Sequence, residues 1–123
     1  TQLERPDPTD YRPGTARRAA EEFLDAWHDR AWDRMAVWTA PLWRENLPDP
    51  AASLRFRFGI ARLRGAFQRD LRSIDDDRAT LVVALAATTL TPELERRRVT
   101  MDLRREDGRW GVEPTSIVPP RVK

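Results

Sequence analysis

The sequence predicts an α+β domain: N-terminal helices packed on one face of a curved, mostly antiparallel sheet of about four strands. Three observations carry that prediction. Apolar residues in the first half recur at helical spacing. In the second half their period is close to two. Asp107-Gly108 then joins two alternating runs with a strong hairpin signal. A length of 123 residues suits one compact domain. Hydrophobic residues at 40% are too many for a disordered chain, and no apolar run reaches the ~18 residues of a membrane-spanning helix.

Residues 1–14, TQLERPDPTDYRPG, carry Pro6, Pro8 and Pro13 and read as an extended leader or linker. The domain is expected over 15–118, with 119–123 a fraying tail. Thr15 is a good N-cap. Ala16, Ala20, Phe23, Leu24, Trp27 and Ala31 then form an apolar helical stripe, opposite Arg17, Arg18, Glu21, Glu22, Asp25 and Asp29. Asp33 caps a second, shorter helix carrying Met35, Val37 and Trp38, which Pro41 stops.

Residues 51–61 fit two patterns. Leu54, Phe58 and Ala61 have helical spacing, while Leu54, Phe56, Phe58 and Ile60 alternate as in a strand. Asp49-Pro50 is a sound helix start and favours the helix. Residues 66–74 read as a first strand and Asp75-Asp76-Asp77 as a turn. Residues 79–90, ATLVVALAATTL, are apolar on both faces and read as a central strand covered on both sides. Val99, Met101 and Leu103 alternate with Arg98, Thr100, Asp102 and Arg104 in a half-exposed strand. Trp110 and Val112 open the last strand, expected to run past Pro114 to about Ile117, at an edge or bulge.

Three pieces resemble the nuclear-transport-factor-2-like superfamily, also called SnoaL-like: AAEEFLDAWHDRAWDRMAVW (19–38), the apolar strand at 79–90, and REDGRWGV (105–112). The resemblance covers roughly residues 15–118 and implies helices on a bent, cone-forming sheet. Cones of this family often enclose a pocket, with acidic, tyrosine or histidine side chains inside it in catalytic members. Others bind proteins, pair through the sheet, or serve as accessory domains of cell-envelope proteins. Fold alone does not choose among these.

The chemistry available is narrow. There is no cysteine and one histidine, so disulfides, thiol catalysis and a multi-histidine metal site within the chain are excluded. No metal or cofactor is expected. A pocket acid for an isomerase or dehydratase would be Asp70, Asp102 or His28. Asp70 and Asp102 stand among arginines and other polar residues, which favours outward ion pairs, and His28 sits at the edge of the helical stripe near Asp25. Tyr11, the only tyrosine, lies in the leader, which counts against a steroid-isomerase-like site. Among five tryptophans, Trp27, Trp38 and Trp43, with Phe58, are the candidate wall of an apolar ligand pocket; core packing is their other use.

Of 22 basic residues, 21 are arginine, yet the net charge is only +2. Residues 1–50 carry −3 and residues 51–74 carry +5. Arg55, Arg57, Arg62 and Arg64 thus form a basic surface, and Arg96-Arg97-Arg98 a second run. No reading helix, nucleotide-cradling loop or nucleophile elbow accompanies them, so nucleic-acid binding is not expected. These features favour a non-catalytic binding or assembly domain, with a small molecule or protein as partner and a homodimer through the sheet. The proline-rich start suggests an extracytoplasmic accessory domain behind a removed membrane anchor, with the cytoplasm as the other location. Alternative readings are a small-molecule isomerase or dehydratase, and a self-associating component of an envelope transfer complex.

Overall fold

The computed structural model describes residues 5–119. Thr15 caps the first helix, α1 (Ala16–His28), its hydroxyl accepting the Arg18 N–H at 3.2 Å. Asp29 ends it, and Arg30 follows in the left-handed region at φ 55°. The Arg30 N–H donates to Trp27 O and the Ala31 N–H to Ala26 O, both at 2.9 Å, the pair of bonds that closes a Schellman stop. Arginine stands here where glycine is usual. Its guanidinium is held by Gly59 O at 2.8 Å and lies over the Trp32 ring.

Three short helices follow: α2 (Trp32–Val37), α3 (Pro41–Glu45) and α4 (Pro50–Phe58). Asp33 lies in the first turn of α2 and does not cap it; Ala31 occupies the cap position. Pro41 opens α3 rather than stopping α2, because its fixed φ and missing N–H suit a first helical position. Asp49 caps α4 by accepting the Ala52 N–H at 3.1 Å, so the helical reading of 51–61 prevails and ends at Phe58.

Strands β1 (Arg62–Asp75), β2 (Arg78–Thr88), β3 (Glu95–Glu106) and β4 (Arg109–Glu113) form an open antiparallel sheet in sequence order. The α+β class and the four-stranded meander are as expected. Asp107 at φ 52° and Gly108 at φ 74° make the two-residue turn that the β3–β4 hairpin requires. β4 stops at Glu113, short of the expected Ile117: Pro114 cannot donate to a ladder and begins one 3-10 turn, Pro114–Ser116. β1 shifts register against β2 at three places, and at one of them Gln68 adopts φ 56°. Each such bulge adds an unpaired residue and bends the strand locally.

The core lies between α1, α4 and one sheet face. Phe23, Leu24, Trp27, Leu54 and Phe58 meet Leu63, Leu81, Leu85, Met101 and Leu103, all essentially without solvent exposure. Phe58 packs edge-on to Phe23 (ring centroids 5.8 Å apart, 83°) and tilted against Trp27 (4.9 Å, 57°). Trp27 Nε1 donates to Ala61 O at 2.9 Å, so its polar atom is satisfied in the core. Gly111 lets the segment after α2 approach β4. There the Val112 N–H donates to Trp38 O and the Ala40 N–H to Val112 O, both at 2.8 Å.

Two expectations are corrected in the first half. Residues 5–14 are not an extended leader: Pro6 and Pro8 are buried, and residues 8–10 form a 3-10 turn against α1. The charged face of α1 is not all solvent-facing, since Glu21 and Asp25 are buried. Glu21 Oε2 accepts Arg69 Nε at 2.7 Å and Arg17 Nε at 3.4 Å. Asp25 is held by Arg5 at 3.0 Å and Arg34 at 2.9 Å, and both arginines also reach Asp29. No helix among the described residues is long and apolar enough to cross a membrane. The predicted tail beyond Pro119 lies outside the described residues.

Candidate functional site

Alternation along β2 and β3 gives the sheet two unlike faces. Leu81, Val83, Leu85 and Ala87 on β2, with Val99, Met101 and Leu103 on β3, turn to the helices. Thr80, Val82, Ala84, Ala86 and Thr88, paired with Asp102, Thr100, Arg98 and Arg96, turn away from them. The bulge at Gln68 resets the parity of β1, so that Phe67 (opposite Ala84) and Asp70 (opposite Val82) share that second face.

No helix covers this outer face. Its floor is apolar and small: Val82, Ala84, Ala86 and the half-buried Phe67. Long side chains lie over the floor instead. Arg96 stacks on the Phe67 ring at 5.6 Å, and Arg64 Nε donates to Thr88 Oγ1 at 3.4 Å. Such stems cover apolar surface while their charged heads stay in water. Toward the other end the charges are paired, Arg72 with Asp70 at 3.1 Å and Arg104 with Glu113 at 3.1 Å. The arrangement can bind a surface.

The residues singled out from sequence fall in different places. Trp27 and Phe58 are fully buried and touch each other, so they fill the core rather than wall a pocket. Trp38 and Trp43 are half-buried and pack against the core from the α2–α3 side. Asp70 and Asp102 are exposed; Asp70 pairs with Arg72, and Asp102 accepts from Thr80 Oγ1 at 3.4 Å. His28 Nδ1 lies 3.2 Å from Asp29 Oδ1 on the surface of α1, while its expected neighbour Asp25 is engaged by arginines. Arg55, Arg62 and Arg64 are exposed, whereas Arg57 turns inward and donates to the carbonyls of Pro114, Thr115 and Ile117. Of the four residues named as a pocket wall, the structure brings together Trp27 and Phe58, and it does so inside the core.

Clefts elsewhere are open and mostly charged. One of about 710 Å³ lies among Leu42, Asp75, Asp77, Arg104 and Glu106. Another of about 590 Å³ is lined by Arg30, Trp32, Asp33, Asp49 and Arg55. Asp75 is held below the ordinary carboxylate range by the Asp77 N–H and by Arg78, and it caps its own turn. Asp29 is likewise held low. Burial opposes this, but the His28 hydrogen bond and the Arg5 and Arg34 charges outweigh it. The Asp25 hydrogen bond raises Arg5 further above its ordinary value. These are marks of structural ion pairs. Among the described residues no cluster of histidine and acidic groups is placed to hold a metal ion.

Sequence reasoning missed Phe67 as part of the outer face, because the bulge that turns it there carries no marker residue. Arg96 and Arg98 were findable from their alternation with Val99 and Met101.

No protein-family model and no curated protein sequence matches the chain. Solved structures do match, in 38 chains. One is the solution structure of a SEC-C motif containing protein from Rhodopseudomonas palustris, 13% identical, with a TM-score of 0.67, covering 81% of this chain and 76% of that one. At that identity the likeness shows the fold alone.

Proposed function

We propose that this chain is a non-catalytic binding or assembly domain of the nuclear-transport-factor-2-like kind, cone-shaped, which works through the outer face of its sheet and pairs there with a second copy. One observation carries the reading: the helix side of the sheet is filled by side chains, while on the other side Val82 and Phe67 are only half-buried, under arginine stems rather than a helix. The helix side of the sheet is packed with side chains, and Asp70 and Asp102, the candidate pocket acids, are exposed. The strand bulges support a bent sheet of the cone type. A face of this size and mixed polarity suits a protein partner better than a small apolar ligand, which needs a concave, desolvated pocket.

The reading extends to an accessory role at the cell envelope, outside the cytoplasmic membrane. Its support is the resemblance to the superfamily, some of whose members serve as accessory domains of cell-envelope proteins; cell fractionation tests it, and recovery of the protein solely with cytoplasmic markers overturns it. Self-association is tested by light scattering over a concentration series. The expected mass is twice 14.3 kDa, and a mass of 14.3 kDa at the highest concentration overturns the pairing.

A further inference from the structure

One end of the molecule gathers exposed apolar residues that the core does not use. The α4 C-terminus leads through Gly59 and Ile60 into β1, whose first residue, Arg62, pairs with Thr88 at the end of β2. The β2–β3 loop, with Leu90 and Leu94, therefore lies at the same end. So does Val118, since its neighbour Pro119 accepts Arg97 NH1 at 3.4 Å near the start of β3. Phe56 is 93% exposed, Leu90 75%, and Ile60, Leu94 and Val118 are all open to solvent. They come from three separate stretches of chain and project singly. They line none of the clefts described above.

Arginines share this end. Arg55, Arg62 and Arg64 lie near Phe56 and Ile60 in the chain, and Arg96 and Arg98 stand near the start of β3 on the outer sheet face. The acids at this end are Glu93 and Glu95, and Glu95 is engaged by Arg97 at 3.0 Å; Asp33 and Asp49 share the neighbouring cleft with Arg30 and Arg55. Arg30 is drawn below its ordinary value first by burial and then by Arg62 and Arg55, so basic groups stand close together here. The opposite end is mixed, with Asp75, Asp76, Asp77 and Glu106 among Arg78, Arg104 and Arg105.

We infer that this end docks peripherally on an anionic lipid surface, with Phe56, Ile60 and Leu90 entering the headgroup boundary and the arginines of this end meeting lipid phosphates. Scattered apolar tips at an end that also carries exposed arginines fit a soft plane of phosphates over hydrocarbon. A folded acidic protein would match the charge but leave the isolated tips in water. The polarisation along the strands would also orient the molecule as it approaches.

The test is co-sedimentation of the full chain with vesicles of phosphatidylcholine alone and of phosphatidylcholine with phosphatidylglycerol. The protein is expected to pellet with the anionic vesicles, to be released by salt, and to stay in solution with the neutral ones. Losing one arginine is expected to weaken binding roughly fivefold, so Arg62→Gln with Arg64→Gln gives about a twenty-five-fold loss. Phe56→Ser with Leu90→Ser should also release the protein, while Leu42→Ser, an exposed apolar residue in another cleft, should not. All these side chains are exposed, so circular dichroism should show an unchanged fold. Three results would overturn the inference: failure to pellet with anionic vesicles, equal pelleting with neutral ones, or undiminished binding by the Phe56/Leu90 variant. The last would mean charge attraction without insertion, as an acidic protein surface would also give.

Discussion

Replacing Phe58 by alanine separates a filled interior from a ligand pocket. Phe58 is completely buried, and its ring meets Phe23 edge-on at 5.8 Å and Trp27 at 4.9 Å. Truncating such a ring removes its burial, leaves a cavity that α4 and the sheet cannot fully close, and costs about 3–5 kcal/mol. Two aromatic partners are lost at once, which places the value in the upper half of that range. Against a total stability of about 5–15 kcal/mol, that is a large share. For a domain of this length it lowers Tm by roughly 4 °C per kcal/mol, or about 16–20 °C. Urea unfolding followed by far-UV circular dichroism measures the loss directly, and Phe58→Leu, which keeps most of the volume, should cost less than about 1.5 kcal/mol. A loss below about 1 kcal/mol for Phe58→Ala, with an unchanged denaturant slope, would mean the ring borders empty or solvated space. The filled-core account would then fail.

Other expectations follow from single contacts. Gly111→Ala would drive a Cβ into the backbone of Thr39 and Ala40 and break the paired bonds to Val112; a loss of about 2–3 kcal/mol is expected in the same urea assay. Glu21→Ala takes the carboxylate from between Arg17 and Arg69 in a buried setting and should cost about 3 kcal/mol, more than an exposed control such as Asp70→Ala. Because Asp29 is held below its ordinary value when folded, its stabilising contribution is complete above about pH 4 and is lost as pH falls through the lower folded value. Acid titration of stability should show that decline, and Arg34→Ala, which removes one of the charges holding Asp29, should make it shallower.

Much of the fold was legible in the sequence because local and global signals agree there. The Thr15 cap, the α1 stripe through Phe23 and Trp27, and the Asp107-Gly108 turn each state their structure within a few residues. What escaped depends on distant partners. Glu21 and Asp25 read as solvent-facing acids because nothing nearby reveals that Arg69, 48 residues on, and Arg5, 20 residues back, come to meet them. The proline-rich start read as a linker because burial of Pro6 and Pro8 against α1 leaves no periodic trace. β1 was the least legible strand, since its bulges break the period of two and turn Phe67 to the outer face. The candidate site was half visible: the two-sided apolar character of 79–90 was plain and both sides are largely buried, but which side meets helices and which meets arginine stems was not.

The central claim, that the outer sheet face is the working surface, is tested most directly by sedimentation velocity on Val82→Glu beside the unaltered chain. Val82 sits mid-strand on that face, and both its cross-strand partners, Thr100 and Asp70, are polar. The account predicts a dimer for the natural sequence and a folded monomer for the variant, with an unchanged circular dichroism spectrum. A natural chain that sediments as a monomer, or a Val82→Glu dimer of undiminished affinity, would contradict it.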